Sequence, residues 1–221
     1  MIRKSIALLT LALSANFASA APIATSYDFT GQTNNNTAAV IKSDSAYTNG
    51  VLIDFNLSYI GSFATNAFAA LWFGDHNGAQ IGLKANCGAK CSSGSDLFVR
   101  PQNTTGDKYF ANSNIEPDTA KKTSHLYAFL YKSGDSDNYD RMSAWLNPEK
   151  GDLSDLTNGD IKLAYDFGFS SFDTIGFRTA NLQGATVSIN NMNINEVPEP
   201  GSVALMGLAL AGLLAARRKR S

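Results

Sequence analysis

The chain has 221 residues, of which 44% are hydrophobic, with 18 basic and 19 acidic side chains and two cysteines. Six of the basic residues (Arg3, Lys4, Arg217, Arg218, Lys219, Arg220) and none of the acidic ones lie in the terminal segments, which leaves 12 against 19, a net −7, over residues 21–200. That balance excludes a nucleic-acid partner, since phosphate binding needs a basic face, and about 170 residues suffice for one core but not two.

Residues 1–20 begin with Arg3-Lys4, run apolar from Ile6 to Leu13 and end Ala18-Ser19-Ala20. A charged start, an apolar middle and a small-residue end predict a secretory signal peptide cut between Ala20 and Ala21. Residues 21–195 are then expected to form one domain.

Within it the patterning is β throughout. Strands are predicted at 26–30, 51–59, 67–73, 80–84, 97–100, 124–132, 141–147, 174–179 and 186–194. In the second, Val51, Ile53, Phe55, Leu57 and Tyr59 alternate with Leu52, Asp54, Asn56 and Ser58, the period of a half-buried strand. Residues 124–132 are apolar on both faces, which predicts a central strand. Turn chemistry separates these runs at Thr48-Asn49-Gly50, Asp75-His76-Asn77-Gly78, Lys132-Ser133-Gly134-Asp135, Asn147-Pro148 and Asn158-Gly159. One helical turn is expected at 153–156. The fold class is all-β: a single antiparallel sandwich or jelly roll.

An aromatic-rich strand ending Trp145-Leu146-Asn147-Pro148 precedes Phe172-Asp173-Thr174-Ile175-Gly176-Phe177 and a last strand. Phe73-Gly74-Asp75 and Ile81-Gly82-Leu83-Lys84-Ala85-Asn86 add to the pattern. Together they resemble LamG-like, concanavalin A-like sandwiches. The resemblance implies a final strand pairing near the first.

Glycoside hydrolysis needs two carboxyl groups facing each other across the scissile bond, and the glucanase form of this fold places them as E-x-D-x-x-E on one strand. The chain has four glutamates: Glu116, Glu149, Glu196 and Glu199. None of the predicted strands carries two of them. Asp152 and Asp155 fall in a polar loop. A G-x-S-x-G elbow and an H-E-x-x-H motif are both absent from the sequence, and His76 and His125 are expected to be structural. The chain is therefore read as not an enzyme.

Cys87 and Cys91 enclose Gly88-Ala89-Lys90. In an exported protein such a pair predicts a disulfide. A thiolate metal site is the competing reading, although C-x₃-C without a second pair is weak for zinc. Asp135, Asp137 and Asp140 cluster carboxylates in one loop, an oxygen-rich set that suits calcium. The alternative is a polar hairpin tip. Trp72, Tyr109, Phe110, Tyr139 and Trp145 are candidates for a sugar-stacking platform, with Trp72 placed in the core by periodicity.

The tail has three parts: a linker at 196–201 containing Val197-Pro198-Glu199-Pro200, an uncharged run at 202–216, and a basic end at 217–221. The prolines favour an extended strip that stands out from the fold. The run would be roughly 22 Å long as a helix at ~1.5 Å per residue, short of the ~20 residues usual for a bilayer. It spans only with snorkelling arginines and local thinning. The order resembles the PEP-CTERM sorting signal. That resemblance implies export, a transient inner-membrane anchor, recognition by an exosortase near Pro198-Glu199-Pro200, and delivery to the surface or extracellular matrix of an exopolysaccharide-making Gram-negative bacterium. The expected role is a non-catalytic structural or glycan-associating component of that matrix, with extracellular polysaccharide as a partner. A polysaccharide-active enzyme and a protein-interaction module without sugar affinity stay open as alternatives.

Overall fold

The computed structural model describes residues 26–31, 34–88, 96–102, 106–113, 115 and 118–197. The Ala20–Ala21 cut, Cys91, Pro198-Glu199-Pro200, the apolar run 202–216 and the basic end 217–221 lie outside the described residues. Among the described residues, no helix is long and apolar enough to cross a membrane.

Two six-stranded antiparallel sheets make up the domain. The first holds β1 (Tyr27–Thr30), β12 (Thr186–Val197), β3 (Gly50–Gly61), β8 (Asp118–Tyr131), β9 (Arg141–Leu146) and β10 (Ile161–Ala164), in that order. The second holds β2 (Asn35–Tyr47), β11 (Phe172–Ala180), β4 (Ala67–Phe73), β5 (Gln80–Ala85), β6 (Asp96–Arg100) and β7 (Lys108–Tyr109). The single antiparallel sandwich expected from the sequence is what forms, and the last strand pairs with the first, Ile189 opposite Tyr27.

The period of two decides what lies between the sheets. Val51, Ile53, Phe55, Leu57 and Tyr59 of β3 all enter one core with Leu71, Phe73, Ile81, Leu83, Leu97, Val99, Ile175 and Phe177 of the second sheet. Aromatic rings bridge the layers: Phe29 meets Phe177 with centroids 5.6 Å apart, and Tyr139 meets Phe172 at 5.3 Å. β8 is central, as its two apolar faces predict. Leu126, Ala128 and Leu130 face the core, while Phe129 on the opposite face joins Trp145 and Val197 in a second cluster. Leu153 and Leu156 pack against that cluster from the β9–β10 connection, where the expected helical turn is a 3-10 turn, Asp152–Ser154.

Three strands were not expected. β2 pairs with β11 at the edge of the second sheet, and its side chains are mostly exposed. The short β7 and β10 extend the far edges. β12 also outruns its predicted end. A bulge between Asn190 and Asn193, with Asn191 at φ +53°, lets it keep register with β3 as far as Val197 opposite Gly50. Glu196 and Val197 are therefore strand residues of the domain, beyond the expected boundary at 195.

Candidate functional site

Phe177, Leu71, Ile81 and Val99 point into the core, so their strand neighbours line the outer face of the second sheet. One row across that face reads Arg178, Ala70, Gly82, Phe98, Tyr109. Flanking rows carry Gly176, Trp72, Gln80, Arg100 and Ala180, Phe68, Lys84, Asp96. Small residues in the middle of the face leave room for large ones beside them. A Cβ added at Gly176 would lie 2.3 Å from the Trp72 ring, so glycine is what lets the indole lie flat there. Trp72 Nε1 donates to the Asn36 carbonyl at 3.0 Å. Trp72 is buried, as periodicity predicts, but on this outer face rather than in the core between the sheets.

Asp107, just before β7, organises the charges. Arg100 donates from Nε to Oδ1 and from Nη2 to Oδ2. Lys84 Nζ donates to Oδ2 at 2.9 Å and Tyr109 OH donates to Oδ2 at 3.1 Å. Burial alone would raise the Asp107 pKa, but the Arg100 and Lys84 bonds outweigh it and lower it to about 2. Burial, then the Asp107 charge, push the Tyr109 hydroxyl the other way, to a higher pKa. The second carboxylate of the face, Asp96, is 1% exposed and lies 3.5 Å from the Ser113 hydroxyl.

Arg178 is different. Its guanidinium carbon sits 5.1 Å above the Phe68 ring, and Nη1 is buried without a hydrogen-bond partner among the described residues. Burial, with a smaller contribution from the like charge of Arg100, lowers its pKa from the ordinary arginine value. Gln80 donates from Nε2 to the His76 carbonyl at 2.8 Å, but its buried Oε1 has no partner among the described residues. The face thus combines a half-buried guanidinium stacked on Phe68 with the half-buried Tyr109, while Gln80, Phe98 and Trp72 beside them are at most 4% exposed. That chemistry suits hydroxyl-rich or anionic ligands.

The residues singled out from the sequence fall elsewhere. Asp140 accepts from Ser133 N at 2.6 Å, Ser133 Oγ at 2.7 Å and Arg141 Nη1 at 2.7 Å, which closes the base of the 131–141 hairpin. Asp135 and Asp137 are exposed. Among the described residues, no three acidic, histidine or cysteine side chains gather where a metal ion could be held, and the Asp140 carboxylate is taken up by the turn instead.

The expected aromatic platform does not form. Phe110, Tyr139 and Trp145 are 2%, 0% and 1% exposed. Tyr139 packs on Phe169 and Phe172 and donates its hydroxyl proton to the Asn49 carbonyl. Tyr109 alone of the five is half-buried, on the Asp107 network.

One histidine lies on a strand of the first sheet and the other in a turn of the second. His125 Nε2 stands 3.4 Å from Asp54 Oδ1, to which Asn193 Nδ2 also donates at 3.2 Å. His76 lies in the β4–β5 turn, with Nδ1 3.6 Å from Asp75 Oδ2. Asp152 and Asp155 cap turns through Glu149 N and Thr157 N. Cys87 is buried, with Sγ 3.9 Å from the Lys84 carbonyl oxygen. Its expected partner Cys91 is outside the described residues.

The profile of the PEP-CTERM protein-sorting motif matches residues 196–220, so the chain carries this motif and it begins within the last two residues of β12. No curated protein matches the sequence. Among solved structures, the chain is similar to xylan β-1,4-xylosidase from Bacillus halodurans C-125, with 11% identity over 76% of this chain and 32% of that one, at a TM-score of 0.44. It spans about a third of the xylosidase's length. It is also similar to the carbohydrate recognition domain of Emp47p, with 9% identity over 76% of this chain and 82% of that one, at a TM-score of 0.45. A third similar structure is the polysaccharide lyase family 18 protein aly-SJ02, with 11% identity over 80% of this chain and 91% of that one, at a TM-score of 0.45.

Proposed function

We propose that this chain is an exported protein that an exosortase processes at its PEP-CTERM motif and passes to the cell surface or extracellular matrix of a Gram-negative bacterium. There its sandwich serves as a non-catalytic structural or glycan-associating component of an exopolysaccharide matrix. The sorting motif at 196–220 carries the reading of destination. For the glycan association, the support is the outer face of the second sheet, where the half-buried Arg178 stacks on Phe68 and the half-buried Tyr109 lies along the same row. Both carboxylates of that face are engaged, Asp107 by Arg100 and Lys84 and Asp96 by Ser113. They serve the scaffold rather than acid–base work.

The test is a glycan array on the purified mature domain, residues 21–197, with and without calcium. Saturable binding to one glycan class that falls in Arg178→Gln supports the reading. Binding lost with EDTA would move attention to Asp135, Asp137 and Asp140. Absence of binding under both conditions rejects glycan association and leaves a structural or protein-binding role.

A further inference from the structure

The last two described residues lie at a junction. Glu196 opens the matched motif and Val197 begins Val197-Pro198-Glu199-Pro200, yet both are built into the folded domain. Glu196 Oε1 accepts four hydrogen bonds from the turn between β2 and β3: Thr48 N at 2.7 Å, Asn49 N at 2.8 Å, Asn49 Nδ2 at 3.1 Å and Thr48 Oγ1 at 3.3 Å. Val197 pairs with Gly50, is 4% exposed, and packs against Phe129 and Trp145. Gly50 makes that docking possible, because a Cβ there would come within 2.7 Å of the Phe129 ring and 3.2 Å of the Val197 carbonyl oxygen. The folded domain therefore reaches into the motif, with no spacer between them.

A cleft that reads an extended peptide uses its backbone groups and its alternate side chains. Docked Val197 has its backbone engaged with β3 and its side chain covered. We propose that the folded sandwich restrains its own sorting signal: the processing enzyme engages the motif only after the end of β12 peels away from β3 and the Thr48–Asn49 turn. This inference rests on the sorting reading above. Strand ends open at lower cost than the core, so processing of the folded chain proceeds at the pace of that local opening. The arrangement also makes cleavage report on the domain, since a loosened sandwich releases its signal sooner.

The test uses the full chain in a host that carries the exosortase, with pulse-chase conversion of membrane-bound precursor to released product. Two changes free the motif in different ways. Glu196→Ala removes the clamp. Inserting Gly-Ser-Gly-Ser-Glu-Val between Val197 and Pro198 keeps the strand intact and supplies a second Glu-Val to the motif beyond it. Glu196→Ala is expected to speed conversion by roughly tenfold or more, since even one lost charge-assisted hydrogen bond is worth that much, and the insertion, which bypasses the opening step, by no less. Glu196→Ala added to the insertion is expected to change nothing more. Hydrogen exchange of the peptide covering 190–197 should quicken in Glu196→Ala while the rest of the sandwich stays protected. Unchanged conversion in both variants, slower conversion in the insertion, or unchanged exchange would overturn the restraint. Conversion that persists when Pro198→Ala and Pro200→Ala are added to the insertion would instead overturn the sorting reading itself.

Discussion

Arg100 grips Asp107 through both carboxylate oxygens, with Lys84 and Tyr109 sharing Oδ2. The paired side chains are 10% and 15% exposed, so the interaction is poorly screened by solvent. Removing one partner strands the others in a desolvated setting. Asp107→Asn is expected to destabilise the domain by about 2 kcal/mol in urea unfolding, and Lys84→Met by less, since Arg100 keeps the carboxylate paired. Equal, near-zero effects of both would mean that the network does not hold β5, β6 and β7 together.

The same carboxylate sets a pH window. Its folded pKa of about 2 lies below the ordinary 3.8. Its contribution is therefore complete above about pH 4 and is lost as pH falls toward 2. The difference between the two values is worth about 2 kcal/mol at 1.36 kcal/mol per unit. Glu196 is shifted downward too: burial would raise its pKa, but the Asn49 and Thr48 donors outweigh it. Only the gap between wild type and Asp107→Asn therefore isolates Asp107. That gap should shrink between pH 4 and 2 in thermal unfolding, and a constant gap would refute the assignment.

Both sheets were legible wherever one strand face entered the core. The strand at 67–73 matches β4 at both ends, because Ala67, Ala69, Leu71 and Phe73 all turn inward. β2 was invisible for the opposite reason. Its sequence NNTAAVIKSDSAY has no clear alternation, and an edge strand with mostly exposed side chains needs none. The candidate site was hidden differently. Trp72, Gln80, Arg100 and Arg178 come from separate strands and Asp107 from the loop before β7, and only the folded register brings them together. The available signal was charge at non-core positions inside apolar strands, Lys84 in β5, Arg100 in β6 and Arg178 in β11. Asp135, Asp137 and Asp140 looked like a cation loop because sequence proximity does not reveal which lone pairs a turn already uses.

Gly176 tests how tightly that face is built. A methyl group there meets the Trp72 ring at 2.3 Å and the Ala39 carbonyl oxygen at 2.7 Å. The indole is itself tied to Asn36 by a hydrogen bond. Gly176→Ala is expected to cost about 1–3 kcal/mol, the range for overpacking, and to shift the tryptophan emission to the red. A variant with wild-type stability and emission would show that β2 and Trp72 yield easily.

For the cysteines, export and the short intervening loop predict a bond between Cys87 and Cys91. Mass spectrometry of the alkylated, non-reduced mature protein should find neither thiol labelled. Two labelled thiols would reject the bond. Because the enclosed loop is small, reduction should lower the melting temperature only slightly.

Tyr139 links the 131–141 hairpin to the junction where the sorting motif begins. Its ring is fully buried against Phe169 and Phe172, and its hydroxyl donates to the carbonyl of Asn49, the residue whose N–H and side-chain amide both hold Glu196. Tyr139→Phe keeps the ring and leaves that carbonyl without the donor, a change worth about 1 kcal/mol. If the turn acts as one unit, the variant should also loosen the Glu196 clamp. Hydrogen exchange should then quicken at 190–197 as well as at 48–50, and conversion of the precursor should speed up in the same direction as in Glu196→Ala. Loss of stability with unchanged exchange at 190–197 would separate the hairpin from the junction and confine Tyr139 to core packing.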